Sequence, residues 1–183
     1  ISSLSIVDSQ MNIGSNLDTL HTINTLNKLG NITIIPSVNG YMDYLSISVN
    51  QYTHDQDVLA KIVSDYKINL TQVTVSQALA FSGDAHVSSM QVSDTVANIF
   101  ANLDALEAIQ ERVTSIYSPY VMGGYSSPYW ITQKQAVEDA NILSKMQLFG
   151  PQIGVAGVSA DEAIILGNGN HFNKFIVTDT YSH

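Results

Sequence analysis

Aspartate followed by a hydroxyl residue recurs along this chain, and the three copies of that aspartate are Asp8, Asp94 and Asp179. Carboxylates repeated in this way can bind calcium between neighbouring units, because Ca²⁺ takes oxygen ligands. The same pair of residues can instead cap a helix, since both side chains accept hydrogen bonds from the backbone N–H groups of a first helical turn. A cap contributes roughly 0.5 to 2 kcal/mol. Capping explains the pair without any ligand, and we favour it.

The histidines indicate no metal site. His86 and His171 precede the second and third copies of the aspartate, but neither has a partner at the spacing that zinc ligands require. His54 stands beside Asp55 and Asp57 near the start of a predicted helix, and this stretch lacks the histidine pair at i and i+4 of a metalloprotease. We therefore predict solvated histidines, no bound metal and no cofactor.

An aromatic segment is the part of the chain that departs most from the internal repeat described below. Its large rings are Tyr117, Tyr120, Tyr125, Tyr129 and Trp130, with Ser, Pro and Gly between them. Aromatic faces bind sugars and proteins because they offer a large contact area at a small cost in side-chain entropy. The segment is the candidate binding surface, for a glycan or a protein. The alternative is that these rings pack between repeat units.

Catalytic motifs are missing from the sequence. It contains no G-x-S-x-G elbow, no Walker loop, no dinucleotide fingerprint and no H-E-x-x-H. The absence of cysteine excludes disulfides, thiolate zinc sites and thiol catalysis. A carboxylate-dependent hydrolase stays an alternative, because the paired carboxylates of a glycosidase have no fixed spacing. Catalytic residues should break the repeat, whereas the acidic positions here mostly keep it, so we predict that the chain is not an enzyme.

The composition predicts a folded, acidic protein. The hydrophobic share of 45% is enough for a core, and the formal net charge is -9. Arg112 is the sole arginine, so the chain lacks the basic cluster that binds phosphate backbones or anionic membranes. No apolar run approaches the length that spans a bilayer, and the start lacks the features of a signal peptide. We expect neither nucleic-acid binding nor membrane insertion.

The elements that position these residues come from an internal repeat of about 86 residues. Residues 4–27 recur as residues 90–113 without a gap. The shared residues are Asp8, Asn12, Ile13, Asn16, Leu17, Asp18, Leu20 and Ile23, which return as Asp94, Asn98, Ile99, Asn102, Leu103, Asp104, Leu106 and Ile109. A third copy begins at Phe175. We predict unit one at residues 1–88, unit two at 89–174 and the start of a third unit at 175–183.

Each copy alternates predicted strands and helices. In the first, we expect strands at 4–7, 32–35, 45–48 and 69–76, a long helix from the Asp8-Ser9 cap to Gly30, and helices at 51–63 and 77–81. In the second, we expect strands at 87–92, 113–118 and 153–158, and helices at 95–112 and 159–166.

Parallel strands need helical crossovers such as these to connect them. The prediction is an α/β solenoid of parallel strands with helical crossovers; the alternative is a compact pseudo-twofold α/β domain. Both place Leu17, Leu20, Leu103 and Leu106 in the core.

The pattern SxxVSDTxANIxxNLDALxAI at residues 89–109 resembles repeats of very large bacterial cell-surface and type-1-secreted proteins. The segments ITQKQAVEDANILSKM and SVNQYTHDQDVLAKI are looser fits to a second segment of those repeats. Many such proteins also carry calcium-binding glycine-rich nonapeptides (RTX-like). The segment LGNGNHFNKF at residues 166–175 bears only a slight similarity to these nonapeptides. The resemblance implies an extracellular structural, adhesive or surface-layer role at the bacterial cell surface. It implies that the partners are the chain itself, neighbouring repeats, or a surface glycan or protein.

Overall fold

A computed structural model describes residues 3–36, 44–118, 128–147, 153–168, 172 and 174–178. The chain divides into two compact units, the first formed by Ile1–Val73 and Ala80–Gln91 and the second by Thr74–Leu79 and Val92–His183. Each unit consists of short helices and strands, and strands pair in parallel in both. The unit boundaries predicted from the sequence repeat, at 88 and 174, stay a prediction.

The first unit contains strands that are joined by pairs of short helices. Its strands are β1 (Leu4–Ser9), β2 (Leu29–Ile35), β3 (Leu45–Ser48), β4 (Ile68–Val73) and most of β5 (Val87–Ser93). Its helices are α1 (Gln10–Ser15), α2 (Leu17–Thr25), α3 (Val49–His54), α4 (Gln56–Leu59) and the end of α5 (Val75–Phe81). Strand β1 pairs with β2 from Leu4↔Leu29 to Ser9↔Ile35. Strand β3 pairs with β4, and β5 follows β4 in the same sheet.

The second unit begins with the start of α5 and the end of β5, and repeats the same kinds of element. Its helices are α6 (Val96–Ala101), α7 (Leu103–Glu107), α8 (Gln133–Glu138), α9 (Ala140–Ser144) and α10 (Ala160–Gly167), with a 3₁₀ turn at Gln110–Arg112. Its other strands are β6 (Val113–Tyr117), β7 (Tyr129–Thr132), β8 (Met146–Gln147), β9 (Ile153–Val158) and β10 (Lys174–Val177). Strand β6 pairs with β8, and β9 lies between β7 and β10; these pairings are all parallel.

Equivalent apolar positions of the two copies are buried alike. Leu17 and Leu20 are 0% and 5% exposed, and their counterparts Leu103 and Leu106 are 1% and 0% exposed. Burying a leucine side chain contributes roughly 1.5 to 3 kcal/mol, so these positions are a large part of each core. The predictions of an α/β fold with parallel strands and of these four core leucines are confirmed. The solenoid stays a prediction, and the compact pseudo-twofold domain stays its alternative.

The predicted long helices are wrong in one respect, because each is broken in the middle. Asn16 separates α1 from α2, Asp55 separates α3 from α4, and Asn102 separates α6 from α7. Backbone angles at these residues, such as φ -112° and ψ 15° at Asn16, lie outside the helical region. The break places His54 at the end of α3 and directly before Asp55, the N-cap of α4.

Two further boundaries differ from the prediction. Gly30 does not close a helix but lies within β2, and Asn27, with a φ of 54°, is the residue that turns the chain out of the helical region. Strand β4 ends at Val73 because the Thr74 hydroxyl accepts a hydrogen bond from the Gln77 N–H (3.3 Å), which starts the next helix. Local side-chain hydrogen bonds thus decide where these elements end.

Candidate functional site

Most polar side chains of the repeat are used at the junctions where a strand passes into a helix. A serine or threonine hydroxyl accepts a backbone N–H from three residues further on at each of them: Ser9, Ser48, Thr74, Thr95, Thr132 and Ser159. At Ser48, Thr132 and Ser159 the side chain of that later residue also accepts the N–H of the capping residue, which completes a capping box. These caps satisfy donors that a helix start otherwise leaves unpaired.

Asp8 and Asp94 support the caps beside them. Oδ1 of Asp8 accepts the backbone N–H of Ser9 (2.7 Å) and the side-chain amide of Asn12 (2.7 Å). In the second copy, Oδ1 of Asp94 accepts the corresponding groups of Thr95 (2.7 Å) and Asn98 (2.9 Å). The hydroxyl residue is therefore the N-cap, and the aspartate holds the junction, as the capping interpretation expects. Asp179 lies outside the described residues.

The charges of these two carboxylates are stabilised by the same contacts. The hydrogen bonds from the Asn12 amide and the Ser9 N–H hold the pKa of Asp8 below its ordinary value. Partial burial would raise the pKa of Asp94, but hydrogen bonds from the Val75 N–H (2.9 Å), Asn98 and Thr95 outweigh it and lower that pKa. Both groups are anionic acceptors within the fold, because hydrogen bonds to a carboxylate favour its charged form.

The helix breaks hold a second repeated arrangement. In two of them the residue is asparagine, and its amide donates to the carbonyl of the residue four positions earlier: Asn16 to Asn12 and Asn102 to Asn98, both at 2.8 Å. Both asparagines therefore have a structural role at the break. In the other two breaks the residue is an aspartate, Asp55 or Asp139, whose side chain has no N–H group to donate in this way.

Asp55 and Asp139 are buried carboxyl groups, and each lies beside a second carboxyl group. Burial raises the pKa of Asp55, and the neighbouring Asp18 carboxyl raises it further. Burial, followed by the Asp104 carboxyl, raises the pKa of Asp139 to about 6. Two carboxyl oxygens can be held together only if a proton lies between them, so each pair is a site that retains a proton or takes a cation. Asp18 and Asp104, which are equivalent in the two copies, provide the second carboxyl group of each pair.

The two carboxyl pairs differ in the residues around them. Asp55 is 0% exposed, and Nδ1 of His21 lies 3.6 Å from its Oδ1. The imidazole rings of His21 and His54 lie 4.9 Å apart. In the second unit, Glu107 stands where the repeat places His21 in the first, and it accepts hydrogen bonds from the Asn141 amide (2.6 Å) and the Ile142 N–H (2.8 Å).

Sequence reasoning missed this histidine cluster, because His21 and His54 belong to different helices and no local spacing connects them. The signal that could have found it is the repeat. Aligning the two copies places His21 opposite Glu107 and His54 opposite Glu138, so that both histidines are departures from the repeat beside an aspartate that keeps it. Helix α2 packs against α4, and this packing brings His21 to His54 and Asp55, which are adjacent in the sequence.

The aromatic segment is only partly described. Tyr120 and Tyr125 lie outside the described residues. Tyr117 is 38% exposed on β6, and Tyr129 on β7 stacks on Phe100 with ring centroids 5.0 Å apart. The structure thus gives Tyr129 a packing contact within its own unit.

Trp130 lies flat against the neighbouring strand β9. A Cβ atom added at Gly154 would lie 2.5 Å from the Trp130 ring, so only glycine leaves room for the indole there. Nevertheless, Trp130 is 44% exposed. Among the described members of the predicted binding surface, Trp130 therefore has both a fixed ring and the largest accessible fraction.

A cleft of about 550 Å³ in the first unit lies outside all sequence predictions except His86. Tyr66 and His86 stack in its lining with ring centroids 4.6 Å apart, and the Lys67 ammonium donates to the Ala85 carbonyl (3.2 Å). The His86 side chain is 55% exposed and lies 3.6 Å from Asp84, which agrees with a solvated loop histidine. His171 lies outside the described residues.

No protein-family model, curated protein or solved structure matches this chain. Within the described ranges, no helix has the length and apolar character needed to cross a bilayer. Because these comparisons found no match, the residues and their contacts are the basis for inferring the function.

Proposed function

We propose that this chain is a non-catalytic structural and adhesive repeat segment of an extracellular bacterial surface or secreted protein, and that it associates with further copies of its own units in a solenoid. The observation that carries the proposal is a difference in burial between equivalent strand positions. Met90 and Val92 in β5 are buried, whereas Leu4 in β1, at the repeat position of Met90, and Val177 in β10, at that of Val92, are 55% and 46% exposed.

This difference favours a second copy as the partner of the exposed strands. A position that the protein buries in one copy of the repeat is suited to burial in the others, and each exposed side chain there loses about 25 cal/mol of stabilisation per Å² of apolar surface left in water. Val7 in β1 and Ile176 in β10 are also exposed, at 65% and 44%, so both strands offer an apolar surface to a partner.

Strand edges support the same proposal. Among the described strands, β1 pairs only with β2, and β10 pairs only with β9. Strands that pair on one side have unpaired backbone groups on the other and tend to associate with further strands. In repeat proteins, neighbouring units bury a continuous core in this way. The polar groups of the repeat are used in caps and helix breaks, which favours a role in shape and contact over a role in a reaction.

Sedimentation velocity over a wide range of protein concentration tests the proposal. We expect the sedimentation coefficient to rise with concentration, and we expect Leu4→Asp and Val177→Asp to abolish the rise because each puts a charge into the apolar contact. Val137→Asp is the matched control, since Val137 is 60% exposed and belongs to helix α8 and to neither strand. A chain that stays monomeric at millimolar concentration would contradict self-association.

A second candidate function is binding of a surface glycan or protein by the aromatic segment, and the exposed Trp130 supports it. An indole held flat by Gly154 presents a rigid apolar face, which is how aromatic residues stack on sugar rings. Trp130 is the single tryptophan of the chain, so its fluorescence reports binding directly. We expect a shift in emission with at least one member of a panel of glycans, and loss of that binding in Trp130→Ala. Unchanged emission across the panel would remove this candidate.

A further inference from the structure

We propose that His21, His54 and Asp55 bind a divalent first-row transition-metal ion, with Zn²⁺ as the type case. One ring nitrogen from each histidine and one carboxylate oxygen of Asp55 all lie within 4.8 Å of one another. In a tetrahedral zinc site with bonds of about 2 Å, neighbouring donor atoms lie about 3.3 Å apart. The distance of 3.6 Å between Nδ1 of His21 and Oδ1 of Asp55 is close to that value.

The buried carboxylate of Asp55 is the independent observation that points to a ligand. Asp55 is 0% exposed, and neither of its oxygens accepts a hydrogen bond from any of the described residues. Burying a carboxylate without a hydrogen bond or a cation is costly, by several kcal/mol. A metal ion bound by Oδ1 would remove that cost.

The surroundings of the histidines favour a cation. Nδ1 of His21 lies 2.8 Å from Oδ1 of Asp57, so an ion bound to this nitrogen has a second carboxylate beside it. The Asn24 amide donates to the other oxygen of Asp57, which fixes the orientation of that carboxylate. The His21 side chain is 25% exposed and that of Asp57 is 40% exposed, so an ion can reach the site from solvent.

The donor set determines the class of metal. Imidazole nitrogen and carboxylate oxygen together suit Zn²⁺ and its first-row neighbours, whereas Ca²⁺ and Mg²⁺ take oxygen ligands alone. The second unit contains a built-in comparison, since Glu107 and Glu138 stand at the positions of the two histidines. Both oxygens of Glu107 already accept hydrogen bonds, from Asn141 and from Ile142. The proposal therefore assigns one transition-metal ion per chain, in the first unit.

The test is isothermal titration of the metal-stripped chain with ZnCl₂, together with thermal unfolding in Zn²⁺ and in EDTA. We expect one ion per chain, a rise in the unfolding temperature with Zn²⁺, and no such rise with Ca²⁺. His21→Asn and His54→Asn should each weaken Zn²⁺ binding at least about tenfold, because each removes a ligand. Circular dichroism and the unfolding temperature in EDTA show whether each variant is folded.

Two control variants complete the experiment. The double variant Glu107→Gln with Glu138→Gln changes the corresponding positions of the second unit and should leave Zn²⁺ binding unchanged. His86→Asn changes a histidine of the first unit outside the cluster and should also bind as the unaltered chain does. Absence of Zn²⁺ binding would overturn the proposal. So would His21 and His54 variants that bind Zn²⁺ as tightly as the unaltered chain does.

Discussion

Asp139 is a buried acid whose neighbours are also acids. It is 3% exposed, and Oδ2 accepts no hydrogen bond from any described residue. Burial raises its pKa first, and the carboxyl groups of Asp104, Glu107 and Glu138 raise it further, to about 6. The native protein therefore keeps a proton on this group at pH values where the unfolded chain, with an ordinary pKa of 3.8, has lost it.

This shift predicts a pH dependence of stability. Because the folded-state pKa lies above the unfolded value, the free energy of unfolding should fall as the pH rises from about 4 to about 6 and should then level off. The full effect is on the order of 2 to 3 kcal/mol. Asp139→Asn should remove the part of the decline that Asp139 causes, leaving the part that the raised pKa of Asp55 causes, and should stabilise the protein at pH 7 by about 1 to 3 kcal/mol. Urea unfolding at intervals between pH 4 and pH 8 measures both.

The repeat itself supports this substitution. Asn16 and Asn102 occupy the other two helix breaks, and each donates to a carbonyl four residues earlier. The new amide would find the Gln135 carbonyl in the same relative position. Asp161→Asn, at an exposed position in the first turn of α10, is the control and should leave the decline in place. A decline of unchanged size in Asp139→Asn would mean that another group causes it.

At the scale of single elements, strands were easier to predict than helices. The predicted strand at 45–48 coincides with β3, and the predicted strand at 87–92 differs from β5 by one residue. Alternating apolar residues and the hydroxyl caps that follow them are local signals, and they predicted where most strands end. The helix breaks were missed because the apolar spacing of Ile13, Leu17 and Leu20 continues across Asn16, and a single asparagine costs a helix little.

The candidate sites show the same limit. The caps beside Asp8 and Asp94 could be predicted, since every hydrogen bond of the cap lies within a few residues of the chain. The cluster of His21, His54 and Asp55 could not, because it depends on the packing of α2 on α4. Local spacing carries no information on such contacts, whereas comparison of repeat copies does.

The capping boxes give a prediction for one helix. Thr132→Ala removes the hydroxyl that accepts the Gln135 N–H (3.2 Å) and leaves that donor at the start of α8 without its cap. We expect the free energy of unfolding to fall by about 1 kcal/mol. Thr19→Ala, at an exposed position within α2, should cost nothing, because alanine is the better helix former. Equal losses in the two variants, measured by urea unfolding, would argue against a contribution from the cap.

At the scale of the whole molecule, the repeat predicts that equivalent core positions contribute equally. Leu17 and Leu103 are 0% and 1% exposed at the same place in their copies. Leu17→Ala and Leu103→Ala should each lower the free energy of unfolding by about 2 to 5 kcal/mol, the cost of lost burial and a residual cavity. Leu26→Ala is the control, because Leu26 is 63% exposed and should cost little. A large loss at one core position and a small loss at the other would contradict the equivalence.

Trp130 and Gly154 belong to the second unit, and no other tryptophan exists in the chain. When heat or denaturant unfolds the second unit, the indole of Trp130 separates from Gly154 and its fluorescence emission shifts to longer wavelength. Far-ultraviolet ellipticity instead follows the helices of both units. Coincident curves would identify a single cooperative transition. Curves that part would give the melting point of each unit separately, without any label or added fluorophore.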